Sequence, residues 1–293
     1  MTGFPRHLLL IAACLLLLVF AACRAPVETT PAPTDSQVTL MEKKFFEIRE
    51  LELQLDAAMK EENADQREIQ RLFQIVDLEY AGLISRNPDN VEIKILYGKL
   101  LSRVGDTRGA ITQLGEVLLK EPNLAAVHLE LSTCFAEEGD YTRAMFYAFR
   151  AQEIEPDTAA YHYQIGQILA AFRDKFIEQE IYTQKKIDSL MLEAFNSARE
   201  LQPDELPLQF RYGEAFYDVE NPDWQIPLAH WKALLSHPKL TETEADAIRL
   251  HQVRCLIELG WKDQIPAVAS QIQTEAFRQS VQLLLAPQAP TTR

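Results

Sequence analysis

The chain has 293 residues, of which 47% are hydrophobic and 25% charged, the composition of a folded protein rather than a disordered one. Its 43 acidic and 29 basic side chains leave a formal net charge of -14. This argues against nucleic acid as a partner, since a phosphate backbone needs a Lys/Arg surface to displace its counterions, and against direct adsorption to anionic lipid headgroups. Attachment to a membrane would therefore have to come from something other than charge.

The first element supplies such a feature. Arg6 precedes an unbroken apolar run from Leu8 to Ala22, which suits a secretory signal and falls short of the roughly 20 residues that cross a bilayer as a helix. The run ends in Phe20-Ala21-Ala22-Cys23. Small residues before a cysteine at this place resemble the lipobox of bacterial lipoproteins, although Phe20 stands where that family most often has Leu. The resemblance implies a signal peptide over 1–22 and lipid attachment at Cys23. Ordinary cleavage near Ala21-Ala22 and an uncleaved anchor helix are the rival readings. Each buried CH₂ of an acyl chain contributes about 0.8 kcal/mol, so several chains hold a protein on its membrane. Arg24 rather than Asp follows the cysteine, and resemblance to enterobacterial sorting then implies the outer membrane, with the folded part facing the periplasm. Residues 23–36, rich in Pro and Thr, read as an extended tether that follows the lipidated cysteine.

Residues 37–88 predict a divergent helix pair. Met41, Phe45, Ile48, Leu51 and Leu55 mark one face of a helix ending near Lys60, and a second helix spans Arg67 to Ser85 before Asn87-Pro88-Asp89. Terminal units that cap a stack diverge in this way. A short coiled-coil dimer through the first helix is the alternative.

A fixed period then takes over. Gly105-Asp106 matches Gly139-Asp140, Ala110 matches Ala144, and Pro88, Pro122 and Pro156 share one spacing of 34. Counting from Val91, Tyr97-Gly98, Leu101, Gly105, Ala110, Leu114, Val117 and Pro122 occupy positions 7, 8, 11, 15, 20, 24, 27 and 32. From Ala125 the same positions hold Leu131, Ser132, Phe135, Gly139, Ala144, Ala148, Ala151 and Pro156. Small residues at 8, 20 and 27 let two helices approach, larger ones at 7, 11 and 24 fill the space between units, Gly at 15 ends the first helix and Pro at 32 stops the second. The pattern resembles the tetratricopeptide (TPR) repeat. That resemblance implies an all-α, right-handed superhelical solenoid of stacked helix-turn-helix units, here 89–122 and 123–156.

A third unit, 157–203, begins regularly with Ile165-Gly166 and Leu169 but ends late. Gly166 to Pro203 is 37 steps against 24 from Gly98 to Pro122, so 13 residues are inserted. No Gly or Pro interrupts them, which predicts a pair of lengthened helices projecting from the stack and turning near Thr183 to Lys186. Such a projection could dock a partner or pack on itself. A fourth unit, 204–240, carries Tyr212-Gly213 and Phe216, a turn at Asn221-Pro222-Asp223 and a helix from Leu228 to Ser236 with Pro227 in its first turn. A degenerate unit and a closing helix fill 241–286, with Gly260 between the helices, and 287–293 is a disordered tail.

No phosphate loop, H-E-x-x-H, C-x-x-C or G-x-S-x-G is present. His128 and His162 are 34 apart, which places both at position 4 of successive units, a repeated packing position rather than a metal pair. Cys134 and Cys255 lie in apolar helical patterns and read as buried small hydrophobes. The predicted protein has no catalytic residue, no metal and no cofactor.

Function then falls to a surface. TPR proteins use positions 2, 5, 9, 12 and 13 of the first helices, which line a concave groove. Carried over residue by residue, the resemblance implies Ile95, Lys99 and Arg103, then Leu129, Thr133 and Glu137, then Tyr163, Gln167 and Ala170, and finally Phe210, Glu214, Tyr217 and Asp218. The Lys/Asn carboxylate clamp of chaperone-binding relatives is missing. This groove would run from a basic end to an aromatic, acidic end and hold a helix or extended segment of another protein, with Tyr163, Phe210 and Tyr217 as anchors. The plan resembles lipoproteins such as the pilotin of type IV pili and the helical-repeat lipoprotein of the outer-membrane assembly machine, and implies a role in envelope assembly or secretion. An accessory subunit of a cell-wall or exopolysaccharide enzyme system, or an enzyme with an unrecognised site, are the alternatives.

Overall fold

The computed structural model describes residues 35–61 and 63–286, with side chains in the first helix from residue 43 onward. The predicted signal, Cys23, nearly all of the tether, the side chain of Met41 and the 287–293 tail lie outside the described residues. Fourteen α-helices and one 3-10 turn make up the described secondary structure, which contains no strand. The fold is all-α, built from stacked helix pairs. It divides into two compact units, one ending at Glu155 and the other starting at Pro156.

The first unit contains α1 (Asp35–Lys60), α2 (Gln66–Arg86), α3 (Val91–Arg103), α4 (Thr107–Lys120), α5 (Ala125–Glu137) and α6 (Tyr141–Ile154). The stripe predicted on α1 is covered from within the chain. Ile48 and Leu55 are buried against Leu72, Val76, Tyr80 and Leu83 of α2 and against Ile93 and Leu100 of α3, with Phe45 and Leu51 at the margin. The apolar face that a coiled-coil dimer would have used is therefore occupied by α2.

The matched Gly-Asp pairs are the corners of the repeat. Gly105 and Gly139 have φ of +85° and +78°, a left-handed turn that a Cβ would strain. This lets the Asp106 and Asp140 amides reach back to the carbonyls of Leu101 and Phe135 at 2.9 Å, closing the first helix in a Schellman manner. The same two aspartates then cap the second helix, each accepting at Oδ1 from the amide three residues on, Gly109 at 3.1 Å and Arg143 at 2.9 Å.

The second unit contains α7 (Ala159–Ala171), α8 (Arg173–Glu178), α9 (Gln184–Leu201), α10 (Leu206–Ala215), α11 (Gln225–Leu234), α12 (Glu242–Glu258), a 3-10 turn at Lys262–Gln264, α13 (Ile265–Ala269) and α14 (Glu275–Leu285). The insertion differs from the lengthened pair predicted for it. Helix α7 keeps the 13 residues of α3 and α5. Position 15 holds Arg173 in place of Gly, so no left-handed corner forms there and the chain enters the separate helix α8. It turns at Glu180, φ +54°, and Thr183 caps α9 by accepting from the Lys186 amide at 3.3 Å. Only α9 is lengthened, to 18 residues against 14 in α4 and α6. Phe176, Ile187 and Met191 are all buried, so much of the insertion's apolar surface is spent on its own packing. In the fourth repeat Asn221, φ +54°, stands in for the corner glycine one residue late, and α11 runs slightly earlier than Leu228–Ser236. The closing helix forms where Phe277, Val281 and Leu283 to Leu285 place it.

The repeated small residue at position 8 faces a large side chain of the second helix of its own pair. A Cβ on Gly98 would lie 2.7 Å from Leu114, one on Gly166 2.7 Å from Phe195, and one on Gly213 2.2 Å from Trp231. Leu114, at position 24, thus fills the inside of its pair rather than the space between units, and Phe195 and Trp231 do the same in theirs. Where position 8 is Ser132, position 24 shrinks to Ala148, and the Ser132 hydroxyl donates to the Ala144 carbonyl at 2.9 Å.

Candidate functional site

The first helices of neighbouring repeats are joined by side chains, and many of the predicted groove residues make the joints. In the first unit Arg103 reaches from α3 to α1, with Glu52 at 3.2 Å and Asp56 at 3.3 Å. Glu52 is buried and also accepts from the Tyr80 hydroxyl at 2.7 Å and from Arg49 at 3.1 Å. Burial, followed by the Glu52 charge, pushes the Tyr80 hydroxyl far above the ordinary phenol range, so it stays a donor. Lys99 reaches the other way, to Glu130 of α5 at 3.6 Å. The predicted basic end of the groove is therefore not basic: Glu130, Glu52 and Asp56 neutralise both cations.

Leu129 is buried, and Thr133 returns its hydroxyl to the Leu129 carbonyl at 3.2 Å. Ile95 is half-buried and Glu137 exposed. Burial raises the carboxyl of Glu130 above the usual range, against the opposing pull of Lys99.

The predicted site in the second unit is richer. Gln167 of α7 accepts from Arg211 of α10 at 3.1 Å, and Arg211 also pairs with Asp218 at 3.1 Å while its guanidinium lies over the Phe195 ring. Tyr163 turns inward, 8% exposed and edge-on to Phe195, so it is a packing residue with little surface to offer. Ala170 is half-buried.

Beyond Arg211 an aromatic group closes the face between α10 and α12. Phe210 meets Trp231 edge-on at 5.5 Å, His251 stacks on Trp231 at 4.3 Å and 9°, and Tyr217 stands against His251 at 5.7 Å and Trp224 at 5.4 Å. The Tyr217 oxygen is 3.0 Å from His251 Nδ1 and Glu214 is 3.9 Å from Nε2. Burial, reinforced by Arg254, lowers the His251 pKa to about 4, so the imidazole is neutral near pH 7. Burial likewise keeps the Tyr217 phenol protonated. Nδ1 and the Tyr217 hydroxyl thus share one hydrogen bond, and Nε2 lies on the Glu214 side of the ring.

Phe210, Glu214 and Tyr217 are thus brought together, with Gln167 joined through Arg211. His251, Trp224 and Arg254 are partners that sequence reasoning missed. The fifth repeat is too degenerate to carry the position numbering into α12, and Trp224 lies in the irregular segment after position 15; no periodic signal marks either.

The two repeat histidines sit in equivalent settings: His128 Nε2 is 2.8 Å from the Pro122 carbonyl and His162 Nε2 2.7 Å from that of Pro156. Gln209, at position 4 of the fourth repeat, donates to the Pro203 carbonyl at 3.1 Å in the same way. Each ties the loop that precedes its own helix. Cys134 and Cys255 are buried free thiols that burial pushes up to about 12, far from the thiolate a nucleophile needs. Among the described residues no three His, Cys, Asp or Glu side chains are grouped to hold a metal ion, and no helix is long and apolar enough to cross a membrane.

The chain is similar in structure to YrrB, a TPR protein with an unusual peptide-binding site, at 13% identity over 70% of this chain and 97% of YrrB, with a TM-score of 0.52. It is also similar to MamA, at 14% identity over 68% of this chain and 98% of MamA, with a TM-score of 0.50. At these identities the likeness is one of fold. No protein-family model matches the chain, and no curated protein matches it in sequence.

Proposed function

We propose that this chain is a non-catalytic scaffold that holds a segment of a partner protein against the first-helix faces of its repeats. A lipid on Cys23 would keep it at a bacterial outer membrane with the folded part toward the periplasm, in envelope assembly or secretion. The observation that carries the binding reading is the half-buried aromatic face of Phe210, Tyr217 and Trp224, already ordered by stacking and bordered by Glu214, Arg211 and Asp218. Rings held in place before binding lose little rotamer freedom when a partner arrives, and they anchor protein interfaces more often than flexible charged residues do. The peptide-binding site named for YrrB supports the same use of the fold. A single module of this kind holds a segment at about -8 kcal/mol, a micromolar complex.

Photo-crosslinking residues placed at Thr133 and Asp218, with Leu119 of α4 as the control because it is 87% exposed, test the reading in the native cell. One protein captured from the face positions and not from Leu119 is the expected result. Equal capture from all three, or none from either face position, defeats it. The anchor is tested separately: Cys23→Ser should move the protein out of the membrane fraction, and unchanged fractionation would remove the lipid from the proposal while leaving the binding face standing.

A further inference from the structure

A second recessed surface arises from the two places where the second unit departs from the 34-residue period. The extra N-terminal turns of α9 and the irregular segment 216–224 enclose a cleft of about 440 Å³, within the roughly 300–1,000 Å³ of small-ligand sites. Its apolar lining comes from Leu192 of α9, Phe216 and Val219 of the segment and Ile226 of α11. Phe216 is buried, whereas Ile226 is 48% exposed at the mouth.

The walls are fixed by one buried carboxylate. Asp188 of α9 pairs through Oδ1 with Arg173 of α8 and accepts the Glu220 amide at Oδ2, 3.1 Å away. Its charge is spent on Arg173, so the rim charge comes from Glu220 and Asp223 on one side and Lys185 on the other, all exposed. Asp223 accepts the Gln225 amide at Oδ1, 3.0 Å away, which leaves Oδ2 for a ligand. Two carboxylates against one ammonium favour a cation beside an apolar group.

We infer that this cleft is a docking pocket for a peptide that presents one aliphatic side chain followed by Lys or Arg, the first seated on Leu192, Val219 and Ile226 and the second between Glu220 and Asp223. The inference does not rest on the first-helix faces and could hold if they bind nothing. The pocket would be a second point of attachment, and two weak contacts on one partner multiply in affinity when a linker can span them.

The probes are acetyl-Ala-Leu-Arg-Ala-amide and acetyl-Ala-Leu-Glu-Ala-amide, titrated into the full chain carrying labelled Ile, Leu and Val methyls. The Arg probe should give saturable shifts centred on Leu192, Val219 and Ile226, at least fivefold tighter than the Glu probe. Asp223→Asn combined with Glu220→Gln should abolish that preference while the methyl spectrum elsewhere stays unchanged. Ile226→Ser, at an exposed position where the fold is not at risk, should weaken both probes. Equal binding of the two probes, shifts centred elsewhere, or no saturation overturns the proposal. So does movement of the same methyls on deleting residues 287–293, which would make the chain's own tail the occupant.

Discussion

Trp231 is fully buried because Gly213 stands across from it without a side chain. A Cβ there would fall 2.2 Å from the indole Cζ2, too close for any rotation of a ring already held by Phe210 and His251. Gly213→Ala gains about 1 kcal/mol in helix propensity and loses about 1–3 kcal/mol to overpacking, so the variant should be less stable by about 1 kcal/mol, read from the urea midpoint. The compensating change should be smaller than Trp. In Gly213→Ala with Trp231→Phe the clash is relieved, and so is an indole N–H that has no partner in the fold; the double variant should recover more than half of the loss. Additive losses would mean that the two positions do not oppose each other. The alternation of small residues is visible in the sequence, but their opposite numbers are only partly so. Leu114 lies at its counted position, whereas Phe195 is displaced by 13 inserted residues and Trp231 follows an irregular segment.

Between elements, backbone corners and buried polar contacts do much of the joining, and these differ in how plainly the sequence states them. Gly105-Asp106 and Gly139-Asp140 are legible because one residue must be left-handed and the next must cap. The histidines of position 4 are legible as repeats, but their bonds to the Pro122 and Pro156 carbonyls are not, since nothing in a period says what a side chain touches. Arg103 and Lys99 show the same limit. Their positions suggested a basic groove, and their partners Glu52 and Glu130 lie 51 and 31 residues away. Asp246 was invisible, having no counterpart in any other repeat. It is buried in α12 and accepts from the Thr274 amide at 2.7 Å, the Thr274 hydroxyl at 2.8 Å, the Gln273 amide at 3.0 Å and Arg249 at 2.7 Å. This carboxylate docks the start of α14, whose inward face rests on Val281. Asp246→Ala leaves those donors unpaired, a cost of about 2–3 kcal/mol. Amides of α14 should lose hydrogen-exchange protection before those of α12. Uniform loss across both helices would show that the carboxylate stabilises the unit as a whole instead of pinning its last helix.

At the scale of the molecule, the two units carry buried titratable groups of opposite sign. In the second, burial lowers His230 and His251 from 6.5 to about 4. Between those values the unfolded chain binds more protons than the folded one, so stability is lost as pH falls through the window. The limit is about 3 kcal/mol per histidine, reduced by the partial exposure of both rings and by Glu214, whose carboxyl burial raises. In the first unit, burial raises Glu130, which is half-buried between α3 and α5, above 4.5. There the folded form binds the extra protons, stability falls as pH rises above 4.5, and acidification restores it. Lowering the pH from 7 to 4.5 should therefore loosen α11 and α12 by about 2–3 kcal/mol in native-state hydrogen exchange, corrected for intrinsic rates, while α5 holds its protection or gains. In His230→Gln with His251→Gln the difference should largely vanish, because no imidazole is left to charge. Parallel loss in both units of the native chain would contradict this account, since burial of acids and of bases cannot give the same slope.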